Sequence, residues 1–325
     1  MRDLKFRPVS RVEEASRLMK DGPPSQAMLM AGGTDLLVLK QHRLVLPSPI
    51  VYLKTIPGLA EIRSTRDGGM AVGALATLDD VARHPMIKQA YPMLAKAAFS
   101  VASPQVRHKA TIGGNICLNT RCWFYNRSPF WRASYPDCRK ASAGDNCYVV
   151  PESRKGCFAL QSGDTVGPLA ALGAQLRLVS DEGDRVVPVE DFYLNDGVQN
   201  LALEPGEIVT EVLLPQATEA GAFFKFRPQN NLDFATFTLS VLPSGNGRGA
   251  RIVVGSVATR PLRAREAEKM LDQGTWEASD VSRKAASELK LVSFVRGSVD
   301  FKKQVIEAYL TRILDRLKGK ASEMS

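Results

Sequence analysis

All five cysteines of this 325-residue chain lie in one segment, between positions 117 and 157. They are Cys117, Cys122, Cys138, Cys147 and Cys157. Clustered thiols are typical of metal sites, because thiolates are strong ligands for zinc and for iron–sulfur clusters. None of the intervals is the two-residue interval of most structural zinc sites or a common ferredoxin spacing. The residues alone therefore leave three interpretations open: an iron–sulfur cluster, a zinc site, or no metal.

Other residues of the same segment would suit a metal cluster. Aromatic side chains could shield it from water, namely Trp123, Phe124, Tyr125, Phe130, Trp131 and Tyr135. Basic side chains could offset its charge, namely Arg121, Arg127, Arg132, Arg139 and Lys140. Five thiols exceed the usual four ligands by one, and we expect Cys117 to be a packed core thiol.

Two glycine-containing segments could contact a phosphate group. The first, Gly32–Asp35, follows a short apolar run, and the second, Ala110–Asn115, ends just before the first cysteine. Glycine lets the backbone approach an anion closely, although a glycine pair on its own mostly marks a tight turn. Neither segment has the spacing of the dinucleotide fingerprint or the lysine of a Walker A loop. Because a diphosphate needs several N–H donors, we favour the interpretation that both segments converge on one cofactor.

Short strands and helices alternate through the first half of the chain and must position these segments. The sequence predicts capping boxes, Ser/Thr-x-x-Asp/Glu, at Ser10–Glu13 and at Thr77–Asp80, each opening a helix. A buried strand is predicted over 27–31, a helix over 166–172 and a strand over 208–214.

A second domain is expected to begin near residue 218. Its predicted strands and helices lie at 223–227, 234–241, 251–257, 263–271 and 299–318. An apolar stripe on the last helix is expected to face the core: Phe301, Val305, Tyr309, Ile313 and Leu317. Strands followed by helices favour an antiparallel sheet with helices on one face, so the chain is predicted to be α+β.

Composition and charge exclude several classes of function. The net charge is +9, but the basic residues are spread out, so we expect acidic protein partners and no nucleic acid. No apolar run is long enough for a membrane span, and the charged N-terminus does not resemble a signal peptide, so a cytoplasmic location is expected. The three histidines are scattered, and no hydrolytic triad, carboxylate pair or zinc-protease motif is visible. The chemistry is therefore expected to come from bound cofactors.

Four motifs occur in an order that resembles one family. They are Ala31–Leu36, Ala110–Asn115, Pro205–Val209 and Arg260–Arg263. Over nearly its whole length the chain is similar to the FAD-binding medium subunits of the molybdenum hydroxylases, the group of xanthine dehydrogenase and carbon monoxide dehydrogenase. The resemblance implies a PCMH-type FAD-binding domain at 1–217, with FAD between two α+β subdomains. A C-terminal domain typical of these medium subunits would follow at 218–325.

The resemblance also implies the residues that contact FAD. The diphosphate and ribityl portions would be held by Leu29, Met30, Ala31, Gly32, Gly33, Thr34, Asp35 and Leu36, and by Thr111, Gly113, Gly114 and Asn115. Asp164 would hydrogen-bond nearby, and Lys225 would contact the cofactor. Val101 and Val209 occupy the positions that flank the adenine. No catalytic residue is implied, since the substrate would react on a partner chain.

An insertion distinguishes this chain from most members of that family, which run almost directly from the second glycine segment to the aspartate. The insertion, at about 117–160, resembles that of the β subunits of 4-hydroxybenzoyl-CoA reductases, which carry a [4Fe–4S] cluster as well as FAD. The resemblance implies four cluster ligands, Cys122, Cys138, Cys147 and Cys157.

By resemblance, the chain is an electron-transfer subunit. Its partners would be a large subunit with a molybdenum cofactor and a small subunit with [2Fe–2S] clusters, in a dimer of heterotrimers, with ferredoxin as electron donor. The electrons would drive reductive removal of a phenolic hydroxyl from an aromatic CoA thioester. Two alternatives stay open: the FAD subunit of an aerobic hydroxylase that uses NAD, and a binding module whose cysteine loop holds zinc and docks a partner.

Overall fold

Three β-sheets carry the fold in a computed structural model of the chain. The structure describes residues 5–20, 27–153, 155–217, 219–229, 232–244, 249–273, 275–293 and 297–323. Helices and sheets occur together throughout, and the predicted α+β class is confirmed. The predicted domain boundary adjoins residue 218, which lies outside the described residues.

The first sheet is small and parallel. Its strands and helices are β1 (Phe6–Pro8), α1 (Val12–Lys20), β2 (Met28–Met30), α2 (Leu36–Gln41) and β3 (Ile50–Tyr52). Strand β3 lies between β1 and β2 and pairs with both. The capping prediction was wrong by one residue, because the Ser10 N–H donates to Glu14 Oε2 at 3.1 Å and not to Glu13.

The middle of the chain forms a five-stranded antiparallel sheet and its helices. They are β4 (Ile62–Ser64), β5 (Met70–Gly73), α3 (Leu78–Arg83), α4 (Pro85–Ala90), α5 (Pro92–Phe99), α6 (Pro104–Arg107), α7 (Ile112–Ile116), α8 (Pro129–Arg132), α9 (Arg139–Ser142), α10 (Val166–Leu172), β6 (Gln175–Val179), β7 (Asp184–Pro188) and β8 (Ile208–Leu214). The strand order is β4-β5-β8-β6-β7. The Thr77–Asp80 capping box, the helix over 166–172 and the strand over 208–214 all occur as predicted.

The C-terminal part forms a four-stranded antiparallel sheet with three helices. They are β9 (Ala222–Phe226), β10 (Phe237–Pro243), β11 (Ala250–Gly255), β12 (Leu262–Arg263), α11 (Arg265–Asp272), α12 (Ala278–Glu288) and α13 (Val299–Glu323). The strand order is β12-β11-β10-β9, so the predicted antiparallel sheet is confirmed. Helix α12 was not predicted, because it buries mainly small side chains such as Ala278 and Ala285, which give a weak periodic signal.

The buried face of α13 differs from the predicted stripe. The fully buried side chains are Lys302, Ile306, Leu310 and Leu314, whereas Phe301 is 43% exposed. The other four residues of the predicted stripe are only partly buried at the edge of this core. The contact face of α13 therefore extends from the predicted stripe to the neighbouring row of residues, one position further along the sequence.

The C-terminal sheet packs on both of its faces. Phe237, Leu239 and Val241 point from β10 into the core that α11, α12 and α13 cover. The alternate residues face the other way, and a Cβ atom at Gly167 of α10 would lie 3.0 Å from Ser240 Oγ. The sheet therefore rests on α10, and the space beside this contact lies between the two parts of the chain.

Candidate cofactor site

The two glycine segments lie against each other. A Cβ atom at Gly32 would be 1.9 Å from the carbonyl oxygen of Lys109, the residue just before the second segment. Gly33 adopts φ +71°, a left-handed conformation that favours glycine. Only glycine at position 32 permits this approach, so the two segments are in backbone contact, and their convergence on one cofactor stays a prediction.

The second segment forms the first turn of α7. Thr111 precedes the helix, and its hydroxyl accepts a hydrogen bond from Gly114 N at 3.1 Å. A Cβ atom at Gly113 would lie 2.7 Å from Ala74 Cβ, so Gly113 is needed for packing on the sheet. At Gly114 an added Cβ would meet only the Thr111 hydroxyl, so the outer side of this turn is open.

The segment 161–165 completes the site from the other side. Asn115 Oδ1 accepts hydrogen bonds from Thr165 N at 3.1 Å and from Thr165 Oγ1 at 2.7 Å. A Cβ atom at Gly163 would lie 2.3 Å from the Asn115 carbonyl oxygen. The Asn115 side chain therefore holds two segments together.

Buried polar atoms without protein partners line this segment. They include both side-chain polar atoms of Gln161, Ser162 Oγ and Asp164 Oδ1 among the described residues. Buried polar groups are almost always hydrogen-bonded, so this row indicates that a ligand supplies the missing partners. The sequence prediction included Asp164 but missed Gln161 and Ser162.

Asp164 and Lys225 form a buried ion pair between the two parts of the chain. Lys225 Nζ lies 2.5 Å from Asp164 Oδ2 and also donates to the Ser100 carbonyl at 3.1 Å. Burial raises the pKa of Asp164, and Lys225 partly offsets this effect. The structure thus brings together Asp164, Lys225 and the neighbourhood of Val101. Val209 lies in β8, within the apolar core on which α7 packs.

An interdomain cavity is lined in part by Arg121, whose guanidinium reaches the first glycine segment. Its volume is about 230 Å³, and its lining includes Arg121, Leu160, Ser162, Phe234, Thr236, Ser256 and Lys302. Arg121 forms an ion pair with Asp35 and lies 4.8 Å from the centre of the Phe234 ring. Burial raises the pKa of Asp35, and the Arg121 guanidinium partly offsets this rise. Arg121 therefore links the first glycine segment to the cavity.

Comparison with known proteins gives the family. The FAD binding domain in molybdopterin dehydrogenase matches residues 3–217, and the CO dehydrogenase flavoprotein C-terminal domain matches residues 222–317. The chain belongs to this molybdopterin dehydrogenase flavoprotein family. It is an FAD-containing oxidoreductase subunit of the molybdenum hydroxylase type. The unpartnered polar atoms and the close glycine contacts of the site fit FAD.

Relatives of this flavoprotein cover most of its length. The aldehyde oxidoreductase FAD-binding subunit PaoB of Escherichia coli K12 is 29% identical over 78% of this chain and 82% of that protein. The nicotinate dehydrogenase FAD-subunit of Eubacterium barkeri is 28% identical over 99% of this chain and 100% of that protein. The structure of a carbon monoxide dehydrogenase from Hydrogenophaga pseudoflava matches with a TM-score of 0.75, 25% identity and 96% coverage of each chain. Within the described residues of this flavoprotein, no helix is long and apolar enough to cross a bilayer.

Four of the five cysteines of this flavoprotein line a second, smaller cavity, the cysteine cavity. They are Cys122, Cys138, Cys147 and Cys157. Cys117 does not line it; it follows α7 and packs against the core of the five-stranded sheet. Burial raises the pKa of Cys117 to about 12 and that of Cys157 to about 11. Four thiols around one cavity have the chemistry of metal ligands, and binding of a metal centre would require their deprotonation.

The open space in the cysteine cavity is small. Its volume is about 10 Å³, close to what one water molecule needs. In the described part of the chain, no three His, Cys, Asp or Glu side chains are grouped to hold a metal ion. A closed zinc site would bring its sulfurs to ~3.8 Å of one another around Zn–S bonds of about 2.3 Å. The described thiols are therefore not arranged as a closed metal site, and either a zinc ion or a cluster would require them to rearrange.

Basic residues of the insertion mainly hold its backbone. Arg139 donates to the carbonyl groups of Ser153 and Gly156, and Lys140 donates to that of Gly197 at 2.6 Å. Lys140 also lines the cysteine cavity, where burial lowers its pKa to about 8 although the nearby thiols act in the opposite direction. Of the five predicted basic residues, Arg139 and Lys140 line the cysteine cavity.

The aromatic residues separate into a packed group and an exposed group. The rings of Phe124, Trp131, Tyr135 and Tyr148 pack with centroid distances of 4.6 to 6.0 Å. Trp123 is 40% exposed and Phe130 is 90% exposed, so the prediction that these two shield a cluster was wrong. Phe130 lies in the short helix α8, none of whose residues is buried, and Trp123 lines the interdomain cavity.

Proposed function

We propose that this chain is the FAD and [4Fe–4S] electron-transfer subunit of a molybdenum-containing reductase of the 4-hydroxybenzoyl-CoA reductase type. One observation carries the proposal: four cysteines of the insertion line a single cavity, and one of them, Cys122, also lines the interdomain cavity. A shared wall would place two redox centres close to each other. The insertion at about 117–160 is the feature that argues for more than the FAD of the family.

In this proposal FAD is bound between the two α+β subdomains of 1–217, and Lys225 contacts it from 218–325. The contacts come from Leu29–Leu36, from Thr111, Gly113, Gly114 and Asn115, and from Asp164 and Lys225. Val101 and Val209 would flank the adenine. The row of unpartnered polar atoms from Gln161 to Asp164 supports this site, because the polar ribityl chain and ring edge of FAD can pair with it.

The cluster would be ligated by Cys122, Cys138, Cys147 and Cys157, with Cys117 outside. The insertion would open around it, as the cavity is about 10 Å³. Lys140 would bring a positive charge to the wall of the site, which suits a cluster ligated by four thiolates.

The partners would be a molybdenum-cofactor large subunit and a [2Fe–2S] small subunit, in a dimer of heterotrimers. The relatives are named as FAD-binding subunits, which supports such an assembly. Ferredoxin or a similar one-electron carrier would deliver electrons. They would drive reductive removal of a phenolic hydroxyl from an aromatic CoA thioester on the large subunit, so this chain needs no substrate base.

Anaerobic purification of the full chain tests the proposal. We expect about four iron and four sulfide per chain, as a [4Fe–4S] cluster requires, together with a flavin absorption spectrum. Bound zinc without iron would reject the cluster. Failure to acquire a flavin spectrum with added FAD would reject the flavin site and favour a binding module.

A second candidate function is the FAD subunit of an aerobic hydroxylating complex that reduces NAD. The observation in its favour is that the relatives include a nicotinate dehydrogenase FAD-subunit and a nicotine 6-hydroxylase medium subunit. The insertion would then be a relic or a zinc staple. Reduction of bound FAD by NADH in a purified protein that lacks iron would favour this candidate.

A further inference from the structure

Lys302 occupies a position on α13 where an apolar residue is expected. It is 1% exposed and continues the buried row of Ile306, Leu310 and Leu314. Residues four apart lie on one face of a helix, so Lys302 points to the same side as these core residues. Unlike them, it lines the interdomain cavity.

The ammonium group of Lys302 has few partners. Its Nζ donates to the Val292 carbonyl at 2.9 Å. An ammonium has three N–H donors, and in the described part of the chain no other acceptor and no carboxylate pairs with it. Burial alone lowers the pKa of Lys302 to about 8. Burying an unpaired cation is costly, so its retention here indicates that a bound group supplies the missing partners.

The other residues that line the interdomain cavity indicate which kind of ligand it suits. The hydroxyl oxygens of Ser162, Thr236 and Ser256 are buried and without a partner among the described residues. Ser256 adopts φ +62°, a conformation that side chains rarely take and that clusters at ligand sites. Leu160 and Phe234 supply apolar surface. Such a lining suits a planar heteroaromatic ring with polar atoms along one edge.

We propose that Lys302 is a binding residue for the polar edge of the flavin ring and that its positive charge favours the reduced over the oxidised flavin. The assignment rests on the proposed function, in which FAD is bound in 1–217 and is also contacted by Lys225 from the C-terminal part. Lys302 would contact the flavin from the C-terminal part of the chain, just as Lys225 contacts Asp164 from that part.

The effect has a simple electrostatic cause. Bound FAD would supply two-electron chemistry: uptake of one electron from each of two reduced carrier molecules, with one proton from solvent, would add one negative charge to the ring. Lys302 sits in a cavity of low dielectric, where a fixed positive charge interacts strongly with such a change. Loss of the charge at position 302 should therefore shift the flavin potential to more negative values.

The test uses the full chain reconstituted with FAD. Three variants separate charge from shape: Lys302→Met removes the ammonium, Lys302→Gln keeps a donor for the Val292 carbonyl, and Lys302→Arg keeps the charge. Lys318→Met is the matched control, because Lys318 lies on the same helix with its Nζ bound to the Trp276 carbonyl, outside the cavity. FAD affinity is measured by fluorescence titration and the flavin midpoint potential by spectroelectrochemistry, with circular dichroism to verify folding.

We expect Lys302→Met and Lys302→Gln to lower the equilibrium constant for two-electron reduction of the flavin at least tenfold. For a two-electron couple this corresponds to a midpoint potential about 30 mV more negative. Lys302→Arg and Lys318→Met should keep the parent potential. Unchanged potentials in both uncharged variants would overturn the proposal. A parent potential in Lys302→Gln with a shifted one in Lys302→Met would also overturn it, since the hydrogen bond and not the charge would then matter.

Two further outcomes are distinguishable. If Lys302→Met does not fold, Lys302→Gln and Lys302→Arg decide the question, since both can still donate to Val292. If the parent chain itself binds no FAD, the proposed function fails, which is a different result from a bound flavin whose potential ignores Lys302.

Discussion

The glycine site and the cysteine insertion are held in place by different means. At the glycine site the main chain does the positioning: Gly32 approaches the Lys109 carbonyl, and Gly163 approaches the Asn115 carbonyl, closer than any side chain would allow. The insertion has one such approach as well, between Gly144 and the Asp137 carbonyl, but its described helices are only four residues long, and side chains such as Arg139 and Lys140 connect its separate backbone segments.

This difference indicates which of the two regions can change its conformation when a ligand binds. A site defined by close main-chain contacts is preformed and tolerates no added methyl group at Gly32 or Gly163. A segment held by side-chain hydrogen bonds can rearrange around a ligand, as a cluster in the cysteine cavity would require. We therefore expect changes at the glycine site to affect the whole fold and changes in the insertion to stay local.

The largest effect is expected for Gly32→Ala. The new methyl group would lie 1.9 Å from the Lys109 carbonyl oxygen, and neither backbone can move without separating the two glycine segments. We expect a loss of at least about 3 kcal/mol in unfolding free energy and of FAD binding, measured by urea denaturation and flavin fluorescence.

Gly58→Ala is the control for that variant. Gly58 has φ +80° but nothing within 4 Å of an added Cβ, so only backbone strain of about 1 kcal/mol is expected, with FAD binding retained. Equal effects of the two substitutions would contradict the view that close main-chain approach defines the glycine site.

A comparable loss of stability is expected at the buried pair of Asp164 and Lys225. Asp164→Leu leaves the Lys225 ammonium, 6% exposed, without its counter-charge, and we expect a loss of ~3–5 kcal/mol in unfolding free energy of the FAD-free chain. Adding Lys225→Met should restore most of this stability, because an apolar pair can replace a buried ion pair. Denaturant titration of the single and the double variant measures the two unfolding free energies. A double variant no more stable than Asp164→Leu would show that the stability effects of the two residues are not coupled.

The insertion should respond locally. Cys138→Ser removes one of the thiols that line the cysteine cavity, and we expect iron content to fall to near zero while FAD binding and the melting temperature change little. Cys117→Ser is the matched control: it should keep its iron and lose only about 1 kcal/mol of stability, since it alters a packed thiol. Iron loss in Cys117→Ser with iron retained in Cys138→Ser would reverse the ligand assignment.

Much of the fold could be predicted because it follows from local signals. The helix over 166–172 and the strand over 208–214 have periodic apolar residues and clear boundaries, and both occur at the predicted positions. Helix α12 was missed because its buried side chains are mostly alanine, which is small and gives a weak periodic signal. The buried row of α13 was missed because it begins with Lys302, where an apolar residue was expected.

The candidate site could be predicted only in part. Glycine segments and clustered cysteines can be recognised in the sequence because they combine unusual residue types at short range. Ser162, Thr236, Ser256 and Lys302 come from distant positions, and only the packing of β10 and β11 on α10 brings them to one cavity. A lysine or serine on its own is typical of a surface residue, so no local signal marked these four.

The smallest loss of stability is expected for an ion pair that lies away from both regions, that of Arg185 and Glu207. Arg185 Nε and Nη2 donate to the two carboxylate oxygens of Glu207 at 2.5 and 2.7 Å, and this pairing lowers the pKa of Glu207. A carboxyl group whose pKa is lowered by folding stabilises the protein above its unfolded pKa of about 4.3 and loses this contribution as the pH falls through the folded value. Because Arg185 is 39% exposed, we expect Glu207→Gln to cost only ~0.5–1 kcal/mol at neutral pH.

Urea denaturation of the parent chain and Glu207→Gln between neutral pH and about pH 3 measures this contribution, with the exposed Glu61→Gln as control. The difference between parent and Glu207→Gln should shrink below about pH 4 and vanish at the acid end, while Glu61→Gln shows little difference throughout. A difference that persists at pH 3 would mean that the Glu207 side chain contributes through packing and not through its charge. A cost as large as that of Asp164→Leu would show that burial is not what separates the Asp164–Lys225 pair from an ordinary surface pair.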